Sequence, residues 1–233
     1  MANKQKTKEE VRQEQVVNQA SRIDQFYNDH KNLLWGCVIA VLAVGLGIIV
    51  YQRFIYQPKV AEAQAQLRIT DKILPDGAAA AAADTVALQT ALYGDEDVLG
   101  YKNIIGKYGN KAGASVYLSA GEVAFNLGEY DEAISYLKGY NGKEPILASK
   151  ALSLIGDCYV NKGEVEKGIK YFQDAAGKLD NELAVVYYIK AGNAYEALGK
   201  PAEALKCYQD AKYLYPDNMY LPELEASIAG VEE

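Results

Sequence analysis

Histidine is almost missing from this chain: His30 stands alone among 233 residues. Residues 52–233 contain none, so neither a Ser-His-Asp nor a Cys-His relay can be assembled there. His30 itself borders an apolar run without a partner set and reads as an interfacial polar residue. Only three cysteines occur, Cys37, Cys158 and Cys207, and no two form a C-x-x-C pair. A Cys158–Cys207 disulfide would be permitted in an oxidising compartment; two buried thiols is the simpler reading. There is no G-x-x-x-x-G-K-[ST] loop, and Gly45 and Gly47 lie inside the apolar run, so no phosphate cradle is indicated. The adjacent acids Asp95, Glu96 and Asp97 lack EF-hand spacing and read as a solvated turn. No catalytic residue, cofactor or metal is expected, and the protein is expected not to be an enzyme. Basic charge is also short. Of 24 Lys/Arg and 31 Asp/Glu, residues 1–32 hold six and five, and residues 52–233 hold the remaining 18 and 26. That net of −8 argues against nucleic acid as a partner, whose phosphates need a basic face.

What the chain does have is a pattern in triplicate. GEVAFNLGEYDEAISYLKGY begins at Gly121, GDCYVNKGEVEKGIKYFQDA at Gly156 and GNAYEALGKPAEALKCYQDA at Gly192, spaced by 35 and then 36 residues. A fixed period in the thirties predicts a solenoid of stacked helix pairs, an architecture that binds other proteins. Gly128, Gly163 and Gly199 sit where the first helix of each pair must end and reverse, a position that favours a left-handed residue. Gly121, Gly156 and Gly192 would let the paired helix approach closely. Tyr159, Phe172, Tyr195 and Tyr208 would fill the space between layers. Pro145 and Pro216 are expected to stop the second helix of copies one and three, with Asp180 taking that place in copy two. These residues resemble the tetratricopeptide repeat, with Ala133, Ala204 and Ala211 as its alanine anchors. Gly168 and Tyr140 depart from that pattern; a glycine inside a helix costs about 1 kcal/mol relative to alanine.

Leu33 to Tyr51 is an uncharged stretch of 19 residues. As a helix it spans roughly 28 Å, close to the thickness of a bilayer's hydrocarbon core. Trp35, Tyr51 and Tyr56 suit the interfacial aromatic belts. The run is long for a signal peptide, starts late and has no A-x-A-like site after it. Residues 33–52 are therefore read as a single-pass anchor in a lipid bilayer. Counting nearby Lys/Arg leaves its orientation open. Gly36, Ala40, Ala43 and Gly47 share one helix face, where a neighbouring membrane helix would pack tightly.

The remaining segments fit around these two. Residues 1–32 form a polar tail in which Val16, Ala20, Ile23 and Tyr27 are spaced for one face of an amphipathic helix. Residues 53–110 read as a helical connector and an extra layer. In it Val60, Leu67 and Leu74 recur every seven residues, LPDG at 74–77 ends a helix, and Asp84 caps the next. Ala78 to Ala83 is of low complexity. GYKNIIGKYGNKAG reads as a helix closed by Gly109. Residues 111–216 hold the three repeats, and 217–233 a C-terminal capping helix. The fold class is all-α: one transmembrane helix followed by a tetratricopeptide-repeat α-solenoid. The order of polar tail, FYNDHKN before one span, ALYGDED, GYKNIIGKYGNKAG and the repeats is similar to the YfgM-like family of membrane-anchored tetratricopeptide proteins, ancillary subunits of the bacterial Sec translocon. That resemblance implies an inner-membrane protein with its N terminus in the cytoplasm and its repeats in the periplasm. It also implies Sec translocon subunits and a periplasmic chaperone of the peptidyl-prolyl isomerase type as partners.

In such a fold the first helix of each pair lines the inner groove. By register the groove positions are Leu118, Glu122, Phe125 and Asn126 in copy one. They are Ser153, Asp157, Val160 and Asn161 in copy two, and Ile189, Asn193, Glu196 and Ala197 in copy three. Lysines are few there, Lys150 and Lys190 being the candidates, and Glu122 and Asp157 would repel a carboxylate. A carboxylate clamp is not expected; an emerging polypeptide or a partner's helix fits better. The function expected is a non-enzymatic platform that organises folding factors beside the Sec channel. The alternatives are an anchored import or sorting receptor with cytosolic repeats, and an assembly scaffold of another envelope complex.

Overall fold

The computed structural model describes residues 8–74 and 84–232. Ala78 to Ala83 and the PDG of the 74–77 turn lie outside them. The chain divides into two compact units, Met1–Pro58 and Lys59–Glu233. Every regular element among the described residues is helical.

The first unit is built on α1, Lys8–Tyr51, in which residues 8–32 and the apolar run form one unbroken helix. A π-helical turn, Gln52–Tyr56, follows it. Among the described residues one helix is long and apolar enough to cross a membrane. Its apolar side chains are exposed throughout the span: Val41 is 72% and Leu42 60% accessible. Such a surface is stable only where something other than water covers it. Near the start of the span, Trp35 Nε1 donates to Tyr27 Oη at 3.3 Å, and His30 stacks on Phe26. Ile23 and Tyr27 are exposed too, while the side chains of Val16 and Ala20 fall outside the described residues.

The second unit begins within α2, Gln57–Asp71. Short helices α3 (Thr85–Tyr93) and α4 (Tyr101–Tyr108) come next, then a 3₁₀ turn at Gly109–Ala112. Asp84 caps α3 by accepting from Ala87 N at 3.0 Å. Gly109, at φ 53°, closes α4. Polar contacts tie α2 to this layer: Tyr101 Oη donates to Asp71 (2.8 Å), Tyr108 Oη to Glu62 (2.8 Å) and Gln64 Nε2 to Ala112 O (2.6 Å). In the turn between α3 and α4 the Asp95 carboxylate accepts from the backbone of Asp97 and Val98, both at 2.9 Å. The acidic triplet is thus a self-satisfied turn.

Three helix pairs follow: α5 (Ser115–Asn126) with α6 (Tyr130–Gly139), α7 (Pro145–Asn161) with α8 (Val165–Ala176), and α9 (Ala184–Ala197) with α10 (Pro201–Leu214). The last helix is α11, Leu221–Glu232. Gly128, Gly163 and Gly199 adopt φ of 79°, 79° and 67°. The residue after each donates back to a carbonyl five residues earlier: Glu129 to Ala124, Glu164 to Tyr159, Lys200 to Tyr195. That is the Schellman closure, which satisfies helix-end carbonyls that would otherwise be orphaned.

Each pair is locked by one repeated contact. A Cβ on Gly121 would lie 2.5 Å from Leu137, one on Gly156 2.6 Å from Phe172, and one on Gly192 2.2 Å from Tyr208. A large side chain sixteen residues on therefore seats directly on the glycine backbone. Gly168 belongs to the same close approach. A Cβ there would meet Val160 Cγ2 at 2.6 Å and Gly156 O at 2.9 Å, so α7 and α8 leave no room for any side chain. The departure from the repeat pattern is thus a packing requirement that offsets its propensity cost.

Pro145 is a correction. α6 already ends at Gly139, and Pro145 opens α7, where its missing N–H costs nothing. The core is partitioned along the solenoid. One large cluster runs from Ala63 to Cys158, a second joins Ile169, Phe172 and Cys207, and α11 inserts Leu224 among Val185, Tyr208 and Ala211. Cys158 and Cys207 are free, buried and in different clusters. Burial pushes the Cys158 thiol up to about 12, which makes it inert.

Candidate protein-binding surfaces

The first helices of the pairs, α5, α7 and α9, carry the residues assigned to the groove, and the structure sorts them into three groups. Leu118, Ser153 and Ile189 are interior, each no more than 7% exposed. They are a correction. Each lies three residues before its repeat glycine, hence on the same helix face as it. That glycine faces the second helix of the pair, so these residues pack inward and offer little accessible surface to the groove.

The second group is polar and already engaged. Lys150 Nζ on α7 reaches back 2.8 Å to Glu122 on α5. Lys190 Nζ on α9 reaches back 2.6 Å to Asp157 on α7 and 3.1 Å to Ser153 Oγ, and lies 5.5 Å above the Phe172 ring. The two acids expected to repel a carboxylate and the two lysines expected to attract one neutralise each other between successive repeats. They act as ties across the stack. At the third equivalent position Asn193 meets a tyrosine instead. Tyr208 Oη lies 2.6 Å from Asn193 Oδ1 and also within reach of Glu196, and its one proton serves either. Burial, then the Glu196 carboxylate, raise the pKa of this hydroxyl.

The third group keeps accessible surface. Asn161 is exposed, its amide donating to Asp157 O at 2.9 Å; Asn193, Glu196 and Ala197 are exposed. Phe125, Asn126 and Val160 are half-buried. Phe125 packs near Tyr130, with ring centroids 5.8 Å apart, and Val160 leans on the Ile169–Phe172 cluster. In the first unit Gly36, Ala40, Ala43 and Gly47 are all exposed, and no heavy atom lies within 4 Å of a Cβ built on Gly36 or Gly47.

A pocket that periodicity did not reveal opens elsewhere, where α6, α7 and α8 meet. Its volume is 320 Å³, and Leu137, Tyr140, Ala151, Leu152, Ile155 and Tyr171 line it. Tyr140, the other departure from the repeat pattern, is one of its walls. Lys138 and Lys178 also line it. The signal was present in the sequence as small residues on α7, but only three-helix geometry shows the space they leave.

Repeated hairpins, positive-φ turns and glycine-seated side chains define a solenoid of stacked helix pairs. The tetratricopeptide repeat profile matches residues 114–139, 149–177 and 185–218. The solenoid is therefore one of tetratricopeptide repeats, a module for protein–protein interaction. Two crystal structures of the protein MamA are similar. One aligns over 72% of this chain and 80% of its own, with 18% identity and a TM-score of 0.52. The other aligns over 57% and 72%, with 20% identity and a TM-score of 0.46. At 18% identity the first likeness concerns the fold alone. No curated protein sequence matches the chain significantly.

Proposed function

We propose that this protein is a non-enzymatic, membrane-anchored platform for protein binding. We further propose that it serves as an accessory subunit of the bacterial Sec translocon, organising periplasmic folding factors for emerging chains. The observation that carries the first step is the pairing, in one chain, of a helix whose apolar membrane-length window has no buried residue and a tetratricopeptide-repeat solenoid. The narrower Sec assignment is supported by the resemblance in segment order to the YfgM-like family. In this reading the N terminus is cytoplasmic, the repeats are periplasmic, and Gly36, Ala40, Ala43 and Gly47 contact a neighbouring membrane helix. Asn161, Asn193 and Glu196 are the exposed polar positions of a groove that takes an extended segment or a partner's helix. With Lys150 and Lys190 held by acids, the groove has little cationic charge to offer a terminal carboxylate.

Crosslinking at the membrane face, followed by mass spectrometry, tests the assignment. Translocon subunits or an isomerase-type chaperone are expected among the adducts, and their absence would sink it. An anchored receptor with cytosolic repeats is distinguished by a reporter active only outside the inner membrane, fused after Glu233. Activity is expected; a cytosolic readout favours the receptor.

A further inference from the structure

The pocket between the first and second repeats is chemically unlike the unit that contains it. Residues 52–233 carry an excess of eight acids, yet no carboxylate lines this pocket, and two lysines flank it. Lys138 and Lys178 are exposed, and among the described residues neither takes part in an ion pair. Eight other lysines of the solenoid and its preceding layer are in ion pairs, whereas Lys143, Lys170 and Lys206 share the unpaired state among the described residues but do not line the pocket. Two cations beside a concave apolar surface are free to meet an incoming anion, subject to the screening of exposed charges.

The register shows that the space is particular to this junction. Ala151 and Leu152 lie five and four residues before Gly156; the corresponding residues before Gly192 are Tyr187 and Tyr188. Those tyrosines pack against Ala176, Leu179 and Ala184 at the second junction. Counted from the repeat glycines, Lys138 corresponds to Gln173 and Lys178 to Leu214. The first junction is thus open, with lysines at two positions where the second, filled by tyrosines, has Gln173 and Leu214. A volume of 320 Å³ is at the small end for a ligand site, enough for one or two large side chains.

We propose that this pocket captures an extended segment of a partner protein, one that presents a large apolar side chain between carboxylates. The apolar side chain enters between Leu152, Ile155 and Tyr171, and the carboxylates meet Lys138 and Lys178. The proposal rests on the reading of the solenoid as a protein-binding platform, and it assigns that role to a face other than the groove.

The test uses the full chain in lipid nanodiscs and two fluorescent hexapeptides, one with phenylalanine between aspartates and one with phenylalanine between lysines. Fluorescence anisotropy is expected to show at least tenfold tighter binding of the acidic peptide. Ala151→Tyr with Leu152→Tyr, which copies the second junction, is expected to abolish that binding. Should the double variant fold poorly, Leu152→Tyr alone is expected to weaken binding several-fold, and Lys138→Glu with Lys178→Glu to reverse the preference between peptides. Equal binding of both peptides, no binding of either, or unchanged binding by the filled variants would overturn the proposal. So would a change in self-association, read by sedimentation, in place of peptide binding, since the pocket would then serve a second copy. Groove and translocon crosslinks would survive any of these failures, which separates this idea from the broader function.

Discussion

The two junctions of the solenoid share a skeleton and differ in their finish. Both second helices press a large side chain, Phe172 or Tyr208, onto the glycine of the first helix. Both junctions are crossed by an ion pair that reaches back one repeat, Lys150 to Glu122 and Lys190 to Asp157. Yet Tyr187 and Tyr188 fill the second junction, while Ala151 and Leu152 leave the first open. The lesson is a division of labour within a repeat. The glycine seat and the turn glycine set the stacking, and positions beside them vary without disturbing it. On the pocket proposal, selectivity resides where the repeats disagree.

Breaking what the junctions share has the largest expected effect. Phe172→Ala, which empties the seat on Gly156, is expected to cost about 3–5 kcal/mol. A fall in thermal midpoint, followed by circular dichroism, would show it; a negligible shift would contradict the glycine-seat account. Gly168→Ala sharpens the point by its sign. On propensity alone alanine should stabilise by about 1 kcal/mol. With Val160 and the Gly156 carbonyl in the way, it should instead destabilise by about 1–3 kcal/mol, an overpacking effect. Stabilisation would mean that α7 and α8 are further apart than described.

Alkaline pH probes the first cluster against the second. Cys158 is raised from 9.0 to about 12 by burial, and Cys207 is raised as well, burial again being the larger cause. The unfolded thiol loses its proton first, so the unfolded state binds fewer protons and stability falls as pH rises from about 9 toward 12. Cys158→Ala should flatten that decline when urea midpoints are compared across this range; an identical pH profile would count against its burial. The smallest effect is expected from the ties. Both partners of each pair keep some solvent contact, so Lys190→Met should cost no more than about 1 kcal/mol. A loss several times larger in urea titration would make the ion pairs primary and the glycine seats secondary.

Much of this fold was legible in residue spacing. A turn glycine and a seat glycine recur in each copy because each meets a local backbone demand that no other residue satisfies as well. The apolar run of α1 was legible because its length and lack of charge are read directly. The groove was less so. Register puts Leu118, Ser153 and Ile189 on it, yet they share a face with glycines that themselves face inward. Lys150 and Lys190 sit six and two residues before their glycines, and this one-turn offset conceals that both serve the preceding acid. Pro145 carries the same local chemistry whether it follows a helix or opens one, and only the early end of α6 decides. The pocket is a volume left between three helices, which no periodicity describes.

One measurement bears most directly on the protein as an anchored binding platform. A photoreactive residue would be placed at Leu152 in the pocket, at Asn193 on the groove and, as an interior control, at Val185, each in the full chain in native membranes. Irradiation should yield adducts with translocon subunits or a folding factor from Leu152 or Asn193, and none from Val185. Adducts from neither surface position, with the protein folded and in the membrane fraction, would contradict the account.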